Sequence, residues 1–292
     1  MTVPGSPTVR RRRLAAELRQ IREIRGENLE SVATALNWST SRLSRYELAK
    51  GGLRPQDVAS LLDHYQITGP RRLLLLALAQ QAAQKGWWED YSDVSTPELL
   101  QFIGLEAEAT SIAIWHSEVV AGLLQTERYA RSIVSSYTRV EPLAPGIVER
   151  QVQLRMRRQQ VLNRDPPPSL LVVLDESVLR RRIGDETVMY EQLQRLAAET
   201  DRPGVTLRIL PFEAEQTIVA DSFTVFRFES EQDAILRDVV ATEALKASFY
   251  VEGQQETYLY GIVFDRLLSS SLDVAQSKDL ILQIAKSRWS KS

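Results

Sequence analysis

The chain has 292 residues, of which 43% are hydrophobic and 25% charged, values that are ordinary for a globular protein long enough to hold two domains. It contains no cysteine, so disulfides and thiolate metal sites are excluded. Its two histidines, His64 and His116, are far apart in the sequence, which argues against a histidine zinc site or a serine–histidine triad. No signal peptide is visible, and the longest apolar run, residues 73–79, is shorter than the roughly 20 residues that cross a membrane. We therefore expect a cytoplasmic protein with no membrane segment and no metal or cofactor.

The charge is distributed unevenly along the chain. Residues 1–72 hold 13 Lys and Arg against 7 Asp and Glu, a net charge of +6, whereas residues 73–292 hold 23 against 31, a net charge of −8. A basic first part joined to an acidic second part is typical of a DNA-binding domain attached to a domain that must not bind DNA.

Hydrophobic spacing predicts five short helices over residues 9–85, after a disordered tail at residues 1–8. Three of them have predicted bounds, at residues 9–25, 56–66 and 71–85. The residues expected at helix ends are Gly26, Asn28, Gly51 with Gly52, and Pro70.

The segment from Leu29 to Leu48 has the pattern of a DNA-binding helix-turn-helix. Ala33 is small where the two helices cross most closely, and Asn37 occupies the tight turn because asparagine tolerates a left-handed backbone. The apolar residues that face inward are Val32, Leu36, Trp38, Leu43 and Tyr46. An ordinary helical hairpin with a polar face is the alternative, but the spacing, the small residue and the turn residue all favour DNA binding.

The exposed residues of the second motif helix are short, polar or cationic, which suits a helix in the major groove. Arg45 is the first choice for a guanine contact, and Ser39 is expected to cap the helix while facing a phosphate. Glu47 is expected to brace the fold or orient Arg45. Mixed base and phosphate contacts are assigned to Thr40, Ser41 and Ser44, and phosphate contacts to Arg42, which is expected to be the more exposed arginine, to Asn28 and to some of Arg10, Arg11, Arg12 and Arg13.

Residues 86–94 form an aromatic and acidic connector, which we expect to fasten one domain to the other, and residues 95–292 mix helices and strands. Ser95 is expected to cap a helix that begins at Pro97, and Asp273 to form a capping box with Gln276. The last two strands are expected to form a hairpin. Predicted helices cover residues 125–136, 145–162, 185–200, 254–269 and 274–289, and predicted strands 112–115, 170–174, 205–210, 223–228 and 235–240.

The predicted fold is therefore multidomain, with an all-α five-helix N-terminal domain over residues 9–85 and an α+β C-terminal domain over residues 95–292. Asp175 and Glu176 follow a predicted buried strand, where α/β enzymes often place acids. No basic or nucleophilic partner is legible nearby, so Asp175 is better explained as the cap of the helix that starts at Ser177, and we expect no enzyme activity.

Residues 10–80, especially the stretch Ser39-Thr-Ser-Arg-Leu-Ser-Arg-Tyr-Glu47, resemble the xenobiotic-response-element family of lambda-repressor-like helix-turn-helix regulators. The rest resembles a domain of unknown function fused to such heads in high-GC bacteria. That second resemblance is carried by Gly86-Trp-Trp-Glu-Asp-Tyr91, Ala121-Gly-Leu-Leu-Gln-Thr-Glu-Arg-Tyr-Ala130, Arg157-Arg-Gln-Gln-Val-Leu162, Val172-Val-Leu-Asp-Glu-Ser-Val-Leu-Arg180 and Val263-Phe-Asp-Arg-Leu267.

The resemblance implies a transcriptional regulator, often encoded beside a small single-domain partner protein, in pairs that look like antitoxin and toxin or like developmental regulators. Two departures stand out. Leu29 replaces a glutamine that contacts a phosphate in many members, and the usual Glu-x-Gly after the recognition helix is stretched to Glu47-Leu-Ala-Lys-Gly51. We therefore expect another phosphate anchor, such as Asn28, and a longer exit from that helix.

One recognition helix reads only a few base pairs, so we expect a homodimer on a double-stranded DNA operator with two half-sites. Three hypotheses remain for the second domain. It receives a small partner protein encoded nearby, it senses a small molecule in a cleft beside the strand at residues 170–174, or, least favoured, it is an enzyme tethered to DNA.

Overall fold

A computed structural model of the protein describes residues 7–50, 52, 54–215, 220–228, 238–244 and 247–290. Its described residues fall into two compact units, one ending at Glu89 and the other beginning at Asp90. Among the helices of the described residues, none is long and apolar enough to cross a membrane.

In its described residues the first unit is all-α, in agreement with the predicted fold class. The helices described there are α1 (Pro7–Ile24), α2 (Leu29–Ala35), α3 (Thr40–Glu47), α4 (Pro55–His64) and α5 (Gly69–Ala82), followed by a 3₁₀ turn at Trp87–Tyr91. Helix α1 begins at Pro7, two residues before its predicted start, and residues 1–6 of the expected tail lie outside the described residues. One core joins all five helices, built from Leu14, Leu18, Ile21, Val32, Ala33, Leu43, Val58, Leu61, Leu62, Tyr65, Leu75 and Ala79.

Helices α1 to α4 each end in the same way, with a residue of positive φ two positions after the last helical residue. These residues are Gly26 (φ 69°), Asn37 (55°), Ala49 (52°) and Gln66 (52°). The next amide in each case donates back across the last turn, as Lys50 does to the carbonyl of Arg45 at 2.9 Å.

The prediction that Gly51 and Gly52 close α3 is therefore wrong, because Ala49 takes the left-handed position two residues earlier. The longer spacing after Glu47 does not extend the helix, which ends at Glu47 itself. Gly51 lies outside the described residues.

The second unit is α+β. Its helices are α6 (Pro97–Glu106), α7 (Glu127–Tyr137), α8 (Pro145–Arg158), α9 (Glu176–Arg180), α10 (Glu186–Glu199), α11 (Gln254–Ser270) and α12 (Val274–Ile284). Its strands are β1 (Ser111–His116), β2 (Ser169–Asp175), β3 (Val205–Leu210), β4 (Phe223–Arg227), β5 (Val239–Ala244) and β6 (Ala247–Val251). Short 3₁₀ turns lie at Gly122–Leu124 and Gln159–Asn163, and a π-helical turn at Ala285–Trp289.

The strands form one six-stranded mixed sheet in the order β3-β2-β1-β4-β5-β6, with β1, β2 and β3 parallel and the other pairs antiparallel. Both faces are covered. Phe264 and Leu267 of α11 pack on the face that carries Trp115 and Phe223, while the Phe102 ring of α6 contacts Phe226 at 5.0 Å between centroids. This coverage explains the uninterrupted apolar runs of β1 and β2.

Four strands lie where they are predicted, and the fifth is shifted. Residues 235–237 of the predicted strand fall outside the described residues, and β5 runs on to Ala244 as the antiparallel neighbour of β4. The sixth strand, β6, was not predicted from the sequence. Its segment Ala247-Ser-Phe-Tyr-Val251 contains residues that favour strands, but its apolar and polar residues do not alternate regularly as in a half-buried strand.

The N-terminal helix caps that the sequence predicts are confirmed except at α6. Thr96, not Ser95, caps that helix, since its hydroxyl accepts from the amide of Leu99 at 3.2 Å. The capping box of Asp273 with Gln276 is confirmed. Asp175 accepts a hydrogen bond from the amide of Ser177 at 2.8 Å, as the capping interpretation requires.

Candidate nucleic-acid interface

Helices α2 and α3 form the predicted helix-turn-helix. Asn37 adopts the left-handed conformation at the corner, which lets the amide of Trp38 donate to the carbonyl of Ala33 at 2.8 Å. Val32, Ala33 and Leu43 are buried between the helices, and Trp38 packs against the same core. The short side chain of Ala33 is needed here because a larger one would separate the two helices.

Both motif helices begin with the caps expected from the sequence. The Asn28 side chain accepts from the amide of Ser31 at 2.8 Å, and Ser39 Oγ accepts from the amide of Arg42 at 3.2 Å. Asn28 and Ser39 are themselves exposed. The exposed N-termini of α2 and α3 are therefore lined by polar side chains, a setting in which backbone amides attract phosphate.

Leu29, which replaces the expected glutamine, packs against the helical core. The departure therefore removes one polar contact and adds apolar contact at the start of α2. Asn28 lies next to it in the chain and is exposed, and its side-chain oxygen Oδ1 is engaged in the cap of α2.

Arg42 is held by its neighbours. Its guanidinium lies 4.3 Å from the centroid of the Trp38 ring and donates to Tyr46 Oη at 3.2 Å and to Asp57 Oδ1 at 2.7 Å. Tyr46 Oη in turn donates to Asp57 Oδ2 at 2.8 Å. The hydrogen bond to Tyr46, then that to Asp57, raises the pKa of Arg42, so it stays fully charged.

The expectation that Arg42 is the more exposed of the two α3 arginines is therefore wrong. Its side chain stacks on Trp38 and is half-buried, whereas Arg45 is exposed. Arg45 makes no hydrogen bond or ion pair with any residue that the structure describes, so its guanidinium is available to a ligand.

Arg45 borders a concave depression of about 490 Å³ on the surface of this domain. Arg54, which is exposed and precedes α4, is a site residue that the sequence analysis missed. Its position directly before Pro55 is the available signal, because proline is common at the first position of a helix and Arg54 is then the N-cap. Three arginines and small polar groups give the depression a cationic surface. Its lining residues are Ser39, Ser41, Arg42, Arg45, Tyr46, Gly52 and Arg54.

The other predicted contacts on α3 are divided by exposure. Thr40 and Ser41 are exposed, and Ser44 is half-buried. The side chains of Ser39, Ser41, Arg42 and Arg45 all border the same depression.

The basic run on α1 behaves differently from the prediction. Arg12 and Arg13 are buried, so phosphate contacts by these two side chains are not available in this conformation. Arg11 donates to the carbonyl of Ala82 at 2.8 Å and lies 3.6 Å from the carboxylate of Glu89. Arg10 is half-buried. These arginines belong to a helix that also carries core residues, so the helical turn directs some of them inward.

Comparison with families of known sequence matches both parts of the chain. Residues 13–75 match a helix-turn-helix domain, and residues 99–283, more than half of the chain, match a domain of unknown function, DUF5753. Comparison with curated proteins and with solved structures gave no match. A helix-turn-helix domain is typical of DNA-binding regulators. The chain therefore belongs to the DUF5753 family and carries that domain behind an N-terminal helix-turn-helix domain.

Proposed function

We propose that the protein is a sequence-specific DNA-binding transcriptional regulator that acts as a homodimer. The observation that carries this proposal is the exposed Arg45, which has no partner among the described residues and borders a cationic depression on the second motif helix. An arginine in this position can donate two hydrogen bonds to a guanine in the major groove.

The polar residues around Arg45 supply the remaining contacts. Ser39 and Asn28, at the starts of α3 and α2, face phosphates, and Arg42 and Arg54 add positive charge. Since a single helix of this length contacts few base pairs, a useful operator needs two half-sites about one helical turn apart, and hence two copies of the chain.

For the second domain, we propose the reception of a small partner protein that changes DNA binding, as in antitoxin-like regulators. The support is the net negative charge of residues 73–292 and the resemblance to regulators encoded beside such partners. Co-purification of the full-length protein from its native host tests this, because a partner that dissociates in high salt would indicate a charged interface.

Ligand sensing is the second candidate for this domain, and one observation favours it. A cleft of about 690 Å³ lies within the second unit. We propose no catalytic role for the domain.

The DNA-binding proposal is tested by selecting bound fragments from genomic DNA of the source organism with purified full-length protein. Arg45→Ala should cost roughly 1–3 kcal/mol of binding free energy and relax specificity at one base pair. The matched control is Arg19→Ala, since Arg19 is an exposed arginine on α1 that pairs with Glu23 and does not border the depression.

Enrichment of a short inverted repeat that is lost in Arg45→Ala and kept in Arg19→Ala is the expected outcome. Unchanged affinity and sequence preference in Arg45→Ala would contradict the assignment of Arg45. Uniform weak binding by the native protein would mean that this domain does not specify a sequence.

A further inference from the structure

The cleft in the second unit lies between helices and the sheet. Its walls come from α6, α7 and α8, from the turn at Gly122–Leu124, and from the ends of β1 and β4 at His116 and Thr224. Its volume of about 690 Å³ falls within the range of pockets that hold small organic molecules.

The position of the cleft differs from the sequence expectation. A small-molecule cleft was expected beside the strand at residues 170–174, but no residue of β2 is among those that line the cleft. Strand β2 lies between β1 and β3, and its apolar side chains are covered. The cleft instead opens where β1 and the antiparallel β4 meet α6.

The walls of the cleft combine apolar and polar side chains in nearly equal share. Phe102, Ile114, Val134 and Leu154 are buried, while Leu99 and Ile147 are half-buried. These six side chains come from four different elements, so a molecule inside the cleft contacts apolar surface from several sides. Burial of apolar ligand surface is the main source of affinity in such sites.

The charged side chains that line the cleft are nearly balanced, three acids against two arginines: Asp93, Glu106, Glu141, Arg155 and Arg158. Arg158 donates to both carboxylate oxygens of Glu106, at 2.9 and 3.0 Å, and both residues are buried. The Arg158 guanidinium also lies 5.1 Å from the centroid of the Phe102 ring. A carboxylate or phosphate ligand that bound Arg158 would have to displace Glu106 from this pair and leave a buried charge uncompensated, which is costly.

Ser95 Oγ and Gln125 Oε1, both on the cleft wall, make no hydrogen bond among the described residues. Gln125 is 2% exposed, and its amide nitrogen donates to the carbonyl of Val120 at 2.8 Å. Its Oε1 accepts no hydrogen bond from any residue that the structure describes. A hydroxyl or N–H group on a ligand would satisfy this oxygen after a small rotation of the amide.

We propose that this cleft binds an uncharged amphipathic small molecule, with an apolar body and at least one hydroxyl or N–H donor. Apolar side chains such as Phe102 contact its body, Gln125 accepts from its donor, and the nearly balanced charges on the walls, with Arg158 already paired to Glu106, disfavour anions. This inference names the class of ligand for the ligand-sensing function proposed above. It rests on that proposed function only for the idea that ligand binding regulates the protein. Binding itself can be measured without DNA.

The first test is a fluorescence titration of the full-length protein with Nile red, a neutral apolar dye whose emission shifts to the blue in apolar surroundings. We expect saturable binding of one dye per chain. Ile147→Trp should weaken it by about tenfold or more, because the larger side chain on α8 fills the cleft.

The matched control is Leu259→Ala, which removes apolar surface from an exposed position of α11 that does not line the cleft. Thermal unfolding of each variant verifies that it is folded. If Ile147→Trp proves unfolded, Leu143→Trp, in the loop before α8, takes its place. Loss of dye binding in Leu259→Ala, or no effect of the filling variants, would overturn the proposal.

The second test separates uncharged from anionic ligands. 1-Decanol and decanoate share a chain length and differ in the headgroup, so each is used to displace Nile red from the native protein. Stronger displacement by 1-decanol is expected, and equal or stronger displacement by decanoate would contradict the exclusion of anions. Because no DNA is present, these results are independent of whether the operator-binding proposal holds.

Discussion

Glu47, the last residue of α3, accepts two hydrogen bonds from Arg22 of α1, Nε to Oε1 at 2.7 Å and Nη2 to Oε2 at 2.8 Å. Only 6% of the Glu47 side chain and 11% of the Arg22 side chain are exposed. The hydrogen bonds with Glu47 also raise the pKa of Arg22. Of the two roles predicted for Glu47, bracing the fold is confirmed, since its carboxylate bonds to α1 and no bond to Arg45 is present among the described residues.

The first prediction concerns this ion pair. Glu47→Ala should destabilise the helix-turn-helix domain by roughly 3 kcal/mol, because the largely covered Arg22 side chain is left with only the exposed Glu23, 3.8 Å away, as a counter-ion. Urea unfolding of the full-length protein measures the loss. Glu30→Ala, which removes an exposed acid from α2, is the control and should change stability by less than about 0.5 kcal/mol. Equal free energies of unfolding for the two variants would mean that the Arg22–Glu47 ion pair does not stabilise the domain.

The second prediction concerns Arg42. Arg42→Ala should weaken binding to all DNA sequences alike and lower the slope of log affinity against log salt by about one, as expected for a lost phosphate contact. It should also lower stability, since Arg42 bridges α3 to Asp57 of α4. The measurement is DNA affinity at several salt concentrations. A stability loss with an unchanged salt slope would show that Arg42 only joins the two helices.

The third prediction concerns the end of the recognition helix. Ala49 has a φ of 52°, a left-handed conformation that costs an alanine more than a glycine. Ala49→Gly should therefore stabilise the domain by roughly 0.5–1 kcal/mol, the relief of strain being partly offset by the greater freedom of glycine in the unfolded chain.

Ala59→Gly, inside α4, is its control and should destabilise by about 0.5–1 kcal/mol. Both are read from urea unfolding midpoints. Destabilisation by the two substitutions to the same extent would argue against a left-handed backbone at position 49.

The fourth prediction concerns pH. The hydrogen bond from His64, with Nε2 and Oε2 2.6 Å apart, lowers the pKa of Glu27 below its ordinary value of 4.5, and Arg25 adds a second bond at 3.0 Å. Because the unfolded state then takes up the proton more readily, this carboxylate stabilises the fold above about pH 4.5 and ceases to do so as the pH falls through the lower, folded pKa.

Glu27→Gln should consequently be less stable than the native protein near neutral pH, and the difference should shrink in acid below the ordinary pKa. Amide hydrogen exchange over α1 and α2, followed by mass spectrometry, reports this local stability. Glu30→Gln, exposed on α2, provides the comparison. A difference that stays constant from neutral to acid pH would contradict the assigned role of Glu27.

The helix-turn-helix was predictable from sequence because its information is local. The spacing of Val32 and Leu43, the small Ala33 and the left-handed Asn37 are all set within twenty residues, and each is buried or placed as predicted. The cap of α6 was predicted less well because the neighbouring residues Ser95 and Thr96 have nearly equal capping ability. The end of α3 was predicted less well because the left-handed residue there is Ala49 and not a glycine.

What the sequence by itself determined is the class of each domain, the two helices of the helix-turn-helix and the caps at which they begin, since helical and strand periodicities and cap residues act over one or two turns. Tertiary structure decided which arginines are available. Arg42 is drawn to Asp57 and Arg22 to Glu47 by partners 15 and 25 residues away, whereas Arg45 has none among the described residues. It also decided where the cleft lies, because its walls come from elements that meet only when the chain folds, and a long-range contact leaves no periodic trace in the sequence.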